Sequence, residues 1–175
     1  MVSIGYNRYC MNSYILDGNA IAAEIRSEVK HGVERLVHDG IYPPHLRIIM
    51  IGSNTASETY VRLKIQDCAE VGIVSSLSVL DNSITMNEAM DLISDVNADD
   101  KIDAVIIQKP LPLQLNSELL DFALSPDKDV DGLHPVNLGL LLQGNPRFIP
   151  ATPAAVKELL VRSNIDIDGK NIVVI

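Results

Sequence analysis

The sequence has 175 residues, 47% apolar and 21% charged, a globular composition with enough chain for one domain and its core. Twenty-three acidic against fourteen basic residues give a net charge of −9 with no Lys/Arg cluster, which argues against a nucleic-acid or anionic-membrane partner. The longest apolar runs, such as IIMI and AVII, are far too short to span a bilayer.

Residues 1–13, MVSIGYNRYCMNS, lack the long apolar run of a secretory signal and carry one Arg, too little for a transit peptide; they read as a loose extension. Cys10 falls there and Cys68 on an apolar helix face, so both thiols are expected to be reduced and the compartment cytoplasmic. LDGNAIAAEIRSEVKHGVERLVHDG has Ile21, Ile25, Val29, Val33 and Leu36 at helical spacing, with Gly40 to end it. LRIIMI is fit for a buried strand. A helix from about Thr55 to Val71 follows, stopped by Gly72, then a second strand, IVSSLSVL. TMNEAMDLISDVNADD opens on a capping box, Thr85 with Glu88, and leads to a third strand, IDAVII. NSELLDFAL and HPVNLGLLL are short helices. TPAAVKELLVRS is another, with Thr152 as N-cap and Pro153 at the first helical position. DGKNIVVI is a turn and the start of a strand. Strands alternating with helices predict an α/β fold, a mostly parallel sheet flanked by helices in three layers.

In such a sheet, ligands bind beyond the carboxyl ends of the strands, and four stretches fall there. After the first strand, GSNTAS leads into SETYVRLK. With Val61, Ile65 and Cys68 marking the core direction, Tyr60 and Lys64 lie a turn apart, bordering the core rather than facing open water. A surface Tyr and a solvated Lys are the bland alternative; a stacking ring and a proton-shuttling amine are the sharp one. In IIQKPLP the strand runs into Gln108, and Pro110 and Pro112 end the ladder and stiffen the exit. This is either a ligand loop or only a proline-rich turn. In DKDVDGLHP, Asp129 and Asp131 match only a fragment of a calcium loop. They fit a carboxylate that accepts from an amine and a ring N–H, or an Asp–Gly turn. FIPATP frames a helix N-terminus, a place that favours negative charge. The sequence has no G-x-G-x-x-G, P-loop or G-x-S-x-G. His31, His38, His45 and His134 show no metal-ligand spacing, and no metal is expected.

Together, ASETYVRLK, IIQKPLP, SPDKDVDGLHPVN and IPATPAAVKELL resemble, in order and separation, the bifunctional methylenetetrahydrofolate dehydrogenase/cyclohydrolase (FolD) family, from near ILDGNAIAAEI to the end. The resemblance implies oxidation of methylenetetrahydrofolate with NADP or NAD, then hydrolysis of the methenyl product to formyltetrahydrofolate. It implies that Lys64 is the catalytic Lys, that Tyr60 stacks on the aminobenzoate ring, and that Gln108 hydrogen-bonds the Lys. Asp131 would grip the pterin, and Ser57 would stand at the mouth of the same helix. Pro110 and Leu111 are expected to contribute to the substrate site. The sequence departs from the family at Lys109, usually Leu, at Thr55, usually Pro, and at Ala151, usually Cys. If it points inward, Lys109 would place a second cation beside Lys64.

Family members run on into a Rossmann-like nucleotide domain after the strand that here reads NIVVI. The organisation expected is an extension over 1–13, a folate-binding catalytic domain over 14–165, and the start of a truncated NAD(P)-binding domain over 166–175. These residues alone are then expected to bind no NADP and to run no dehydrogenase step. A homodimer is implied for the full-length protein. Three readings stay open: a piece of a bifunctional enzyme, a lone folate domain with weak cyclohydrolase activity, and a non-enzymatic remnant.

Overall fold

The structure, a computed structural model, describes residues 15–173. The elements are α1 (Gly18–His38), β1 (His45–Ile51), α2 (Thr55–Val71), β2 (Val74–Leu80), α3 (Met86–Ala98), β3 (Ala104–Gln108), α4 (Ser117–Ala123), α5 (Pro135–Leu142) and α6 (Ala151–Arg162). The expected extension, with Cys10, lies outside the described residues.

The three strands are parallel in the order β2-β1-β3, with Ile48 opposite both Leu77 and Ile106. A central strand must be apolar on both faces, and β1 is: Ile48, Ile49, Met50 and Ile51 are all buried. Alternation sends Ile48 and Met50 to one side, against Val61 of α2. Ile49 and Ile51 go to the other, with Ala89, Ile93 and Val96 of α3, Val105 and Ile107 of β3, and Leu120 of α4. This makes three layers, as expected, with a sheet that is wholly parallel. The capping box of α3 is formed: Thr85 Oγ1 accepts from Glu88 N–H at 3.3 Å while Glu88 Oε2 accepts from Thr85 N–H at 2.8 Å.

The expected helix α1 forms, and its apolar stripe is partly covered: Val33 is buried, Ile21 and Ile25 are half-buried, and Val29 and Leu36 are exposed, because α1 packs on α2 and α6 rather than on the sheet. Two expectations are corrected. Thr152 is not the N-cap of α6. The helix begins at Ala151 after Pro150, with no side-chain cap bond. Pro153 then sits within the first turn, where its missing N–H leaves no intrahelical bond unmade. Residues 171–173 form no strand, since an extended segment becomes one only against a neighbouring ladder; residues 174–175 lie outside the described residues.

Polar contacts hold the outer helices. Arg162 of α6 donates through Nη1 and Nη2 to the two carboxylate oxygens of Glu28 of α1, each at 2.7 Å, and through Nε to Glu158 at 2.9 Å. Helix α5 is inverted: Asn137 is its buried residue, while Val136, Leu138 and Leu142 are exposed. Among the described residues, no helix is long and apolar enough to cross a membrane.

Leu120 is fully buried at the junction of α4 with the sheet. Leu120→Ala is therefore expected to lower the unfolding free energy by about 2–5 kcal/mol. Val156→Ala, on the exposed side of α6, should change it by no more than about 0.5 kcal/mol. Urea unfolding of the two variants checks this.

Candidate active site

The order β2-β1-β3 fixes where a ligand can enter. From β1 the chain runs to β2 on one side, then returns past β1 to β3 on the other. Connections therefore diverge at the carboxyl ends of β1 and β3, the place where open α/β sheets form their ligand crevice. The loop after β1 makes its turn at Gly52, where φ is +78° and an added Cβ would stand 2.7 Å from Asn82 Oδ1. Two residues on, Asn54 Oδ1 accepts from Ser57 N–H at 3.2 Å, a cap for the start of α2. The first three turns of α2, with Ser57, Tyr60 and Lys64, follow this cap beside the exit of β3.

The two strand ends are joined there by hydrogen bonds. Lys64 Nζ donates to Gln108 Oε1 at 3.0 Å. Gln108 Nε2 donates to the carbonyl of Lys109 at 2.7 Å, and Ser57 Oγ donates to the same carbonyl at 3.5 Å. The assignment is chemically forced: a carbonyl needs the amide's N–H and an amine bearing N–H groups needs its oxygen, so the amide has one orientation. Lys64 is half-buried and Ser57 is buried. Lys109 does not add an unpaired cation beside Lys64; its Nζ meets Asp121 Oδ2 of α4 at 2.5 Å.

The two aspartates of DKDVD divide their duties. Asp129 is buried, and its Oδ2 accepts from the N–H of His134 at 2.8 Å and from Asn137 Nδ2 at 2.9 Å. It ties the segment to α5. Asp129 also bridges Val105 in parallel, so the chain runs beside β3 and carries Asp131 toward the Gln108 end. Asp131 is half-buried and bonds to no described residue. Burial pushes its carboxyl above the ordinary Asp range, helped by the charges of Asp129 and Asp121 and opposed by those of Lys64 and Lys109. Gly132 follows at φ +67°, and an added Cβ would lie 3.3 Å from Pro150 Cδ. The Asp–Gly turn thus rests against the FIP segment. His134 caps α5, its Nδ1 accepting from Val136 N–H at 3.0 Å, and its ring stacks on Phe122 at 5.7 Å between centroids.

Tyr60 departs from the position expected for it. It is 61% exposed, not set along the core, because it lies on the face of α2 turned away from the one that buries Ser57 and Val61, the latter against Ile48 and Met50 of β1. Pro110 is exposed and Leu111 packs against the cluster under α3 and α4; the Lys109–Pro110 bond is cis. Lys64 and Gln108 thus meet directly, Ser57 shares the Lys109 carbonyl with Gln108, Asp131 feels the Lys64 charge, and Tyr60 stands at the open edge. Sequence reading missed Asn54, the Lys109 carbonyl and Asp121. Of these, Asn54 alone had a local signal, an N-cap residue followed by a helical run. A cleft of about 680 Å³ lies at the opposite, amino ends of the strands, lined by Tyr42, His45, Val74 and Asp103 among others. Volume and candidate chemistry therefore occupy different ends of the sheet. Among the described residues, no three His, Cys, Asp or Glu side chains group to hold a metal ion.

Residues 16–131 match the model of the tetrahydrofolate dehydrogenase/cyclohydrolase catalytic domain. The chain is 41% identical over 162 residues to the bifunctional protein FolD of Sulfurihydrogenibium sp. (strain YO3AOP1), covering 92% of this chain and 57% of that protein. The fold superposes on the crystal structure of the bifunctional enzyme FolD from Campylobacter jejuni with a TM-score of 0.84 and 40% identity, over 87% of this chain and 54% of that one. It likewise superposes on Trypanosoma brucei FolD, solved with NADP cofactor and inhibitor, with a TM-score of 0.86 and 32% identity, over 90% and 54%. The chain spans about half the length of the relatives it matches. A crevice at the β1 and β3 ends, the Lys64–Gln108 contact inside it and these likenesses agree: the chain belongs to the tetrahydrofolate dehydrogenase/cyclohydrolase family, to its catalytic domain.

Proposed function

We propose that the chain is the folate-binding catalytic half of a bifunctional methylenetetrahydrofolate dehydrogenase/cyclohydrolase, and that its own residues carry the cyclohydrolase step. The contact of Lys64 Nζ with Gln108 Oε1 at 3.0 Å carries this reading. One N–H of the amine is held by the amide, so the amine's remaining valences are directed into the crevice. The ring of Tyr60, exposed at its edge, offers a face on which the aminobenzoate stacks. Asp131, unbonded within the described residues, accepts from the pterin's amine and ring N–H. Stacking and the two-point grip fix the substrate plane so that the methenyl carbon lies against Lys64. Water adds to that carbon as the Lys64 amine takes its proton, giving a carbinol. The C–N bond then breaks as that proton passes to the leaving nitrogen, and the carbinol hydroxyl releases its own proton to solvent, leaving the formyl product. Ser57, Pro110 and Leu111 shape the mouth.

The dehydrogenase step needs a dinucleotide, and the residues present do not fit one. The described chain has no Gly-rich turn opening a helix to hold its phosphates. NADP, named with the Trypanosoma brucei relative, would be held in the nucleotide domain that the resemblance places after NIVVI. A tetrahydrofolate substrate, a cytoplasmic setting and a full-length homodimer rest on the same reading.

Hydrolysis of methenyltetrahydrofolate by this chain, followed by the loss of its absorbance, tests the proposal. Lys64→Ala should lower the rate by about 10²–10⁴-fold with the fold retained; activity that survives the change defeats the assignment. Tyr60→Ala should weaken tetrahydrofolate binding by about 1 kcal/mol, roughly fivefold, measured by calorimetry, and an unchanged affinity rules out stacking. The pH dependence follows from Asp131. Its carboxylate must be ionised to accept two hydrogen bonds, and burial raises its pKa. Folate affinity should therefore fall as pH drops through a midpoint above the ordinary Asp value of about 4, and Asp131→Asn should bind weakly with that limb absent.

A further inference from the structure

Four charged side chains act on Asp131 near the exit of β3: Lys64, Asp129, Lys109 and Asp121. Most of them are committed. Asp129 serves the N–H of His134 and the amide of Asn137, and Lys64 is bonded to Gln108. Lys109 is different, because its Nζ is on Asp121 at 2.5 Å while its charge also acts on Asp131. Asp121 is well placed to keep it. The side chain of Asp121 is 16% exposed, and its neighbour Leu120 is fully buried in the core, which fixes α4. The Lys109 stem, 37% exposed, is flexible, and without its partner the ammonium would seek the nearest carboxylate that has none. Asp131 is that carboxylate, as it bonds to no described residue.

We propose that Asp121 is a positioning residue that holds the Lys109 ammonium off Asp131 and so keeps the Asp131 carboxylate open to a ligand's hydrogen-bond donors. The ligand part rests on the reading above, in which those donors belong to the pterin; the charge contest between Asp121 and Asp131 does not. The pair therefore guards the site rather than taking part in the reaction. The groups that face Asp131 and enter the contest are Lys64 from α2, Asp129 from its own segment, Lys109 from the β3 exit and Asp121 from α4.

The test is a cycle of three variants of the full chain, Asp121→Asn, Lys109→Leu and the two combined, with two readouts. One is the titration of the Asp131 carboxyl by carbon NMR, assigned by its loss in Asp131→Asn. The other is calorimetric binding of tetrahydrofolate. In Asp121→Asn, Lys109 moves to Asp131, whose midpoint falls by about one unit or more, the effect of an opposite charge at contact. Tetrahydrofolate then binds roughly tenfold more weakly, the equivalent of that unit. Adding Lys109→Leu to Asp121→Asn removes the competitor and returns both readouts toward the unsubstituted chain. Lys109→Leu alone weakens binding less than Asp121→Asn does.

The proposal is overturned if the Asp131 midpoint is unmoved in Asp121→Asn. It is also overturned if Lys109→Leu weakens binding as much as Asp121→Asn, the pattern of a structural clamp. If the unsubstituted chain binds no tetrahydrofolate, the folate reading falls while the titration still decides the guard. Asp121→Ser carries the same expectations should Asp121→Asn not fold.

Discussion

The order β2-β1-β3 is the constraint from which the rest follows. With β1 in the middle, it must be apolar on both faces, and its four consecutive buried residues from Ile48 to Ile51 meet that demand. With the connections leaving β1 and β3 in opposite directions, a gap opens between their carboxyl ends. Everything polar that gathers there comes from segments that begin at one of those two ends. Ser57 and Lys64 come from the helix that follows β1, and Gln108 from the last position of β3. The hydrogen bonds from Lys64 to Gln108 and from Gln108 to the Lys109 carbonyl then close the gap at its base.

Buried polar groups here separate into those that hold the scaffold and those left available. Asp129 and Asp131 stand two residues apart with the same chemistry, yet one is fully engaged and the other is not. The distinction is made by place. Asp129 is level with the start of β3 and faces the first turn of α5, so its Oδ2 meets the N–H of His134, which has no intrahelical partner, and the side-chain amide of Asn137. Asp131 has passed that layer and meets only charges. A carboxylate kept partly from water without a partner is held at a free-energy cost, and such a cost is tolerated where a ligand can relieve it.

Much of the fold was legible in the sequence because the signals are local. The adjacent isoleucines of β1, the box of Thr85 and Glu88, and the glycines that stop α1 and α2 act over a few residues. The bounds of α2, Thr55 to Val71, were readable from its start signal and from Gly72. The start of α6 was not, because Thr152 looks like a cap only if the chain before it is extended, and here the helix has already begun. The covering of α1 was not, since periodicity shows which residues could be buried and not what lies against them. At the site, the family likeness singled out Lys64, Gln108 and Asp131, but spacing could not tell that Lys109 turns to Asp121 or that its carbonyl orients the amide. Those are long-range facts, set by how α4 packs.

Helix α5 is held to the body by its one buried polar residue. Asn137 reaches the carbonyl of Pro126 at 2.9 Å and Asp129 at 2.9 Å, while Leu138 and Leu142 are exposed and Leu140 and Leu141 are half-buried. An ordinary surface helix leaves the core only when a large apolar face is exposed to water, and so it opens together with the whole domain. Helix α5 already has part of its apolar face in water, and polar bonds through Asn137 and His134 share in its attachment. Its backbone amides are therefore expected to exchange with solvent before those of β1, as hydrogen exchange would read.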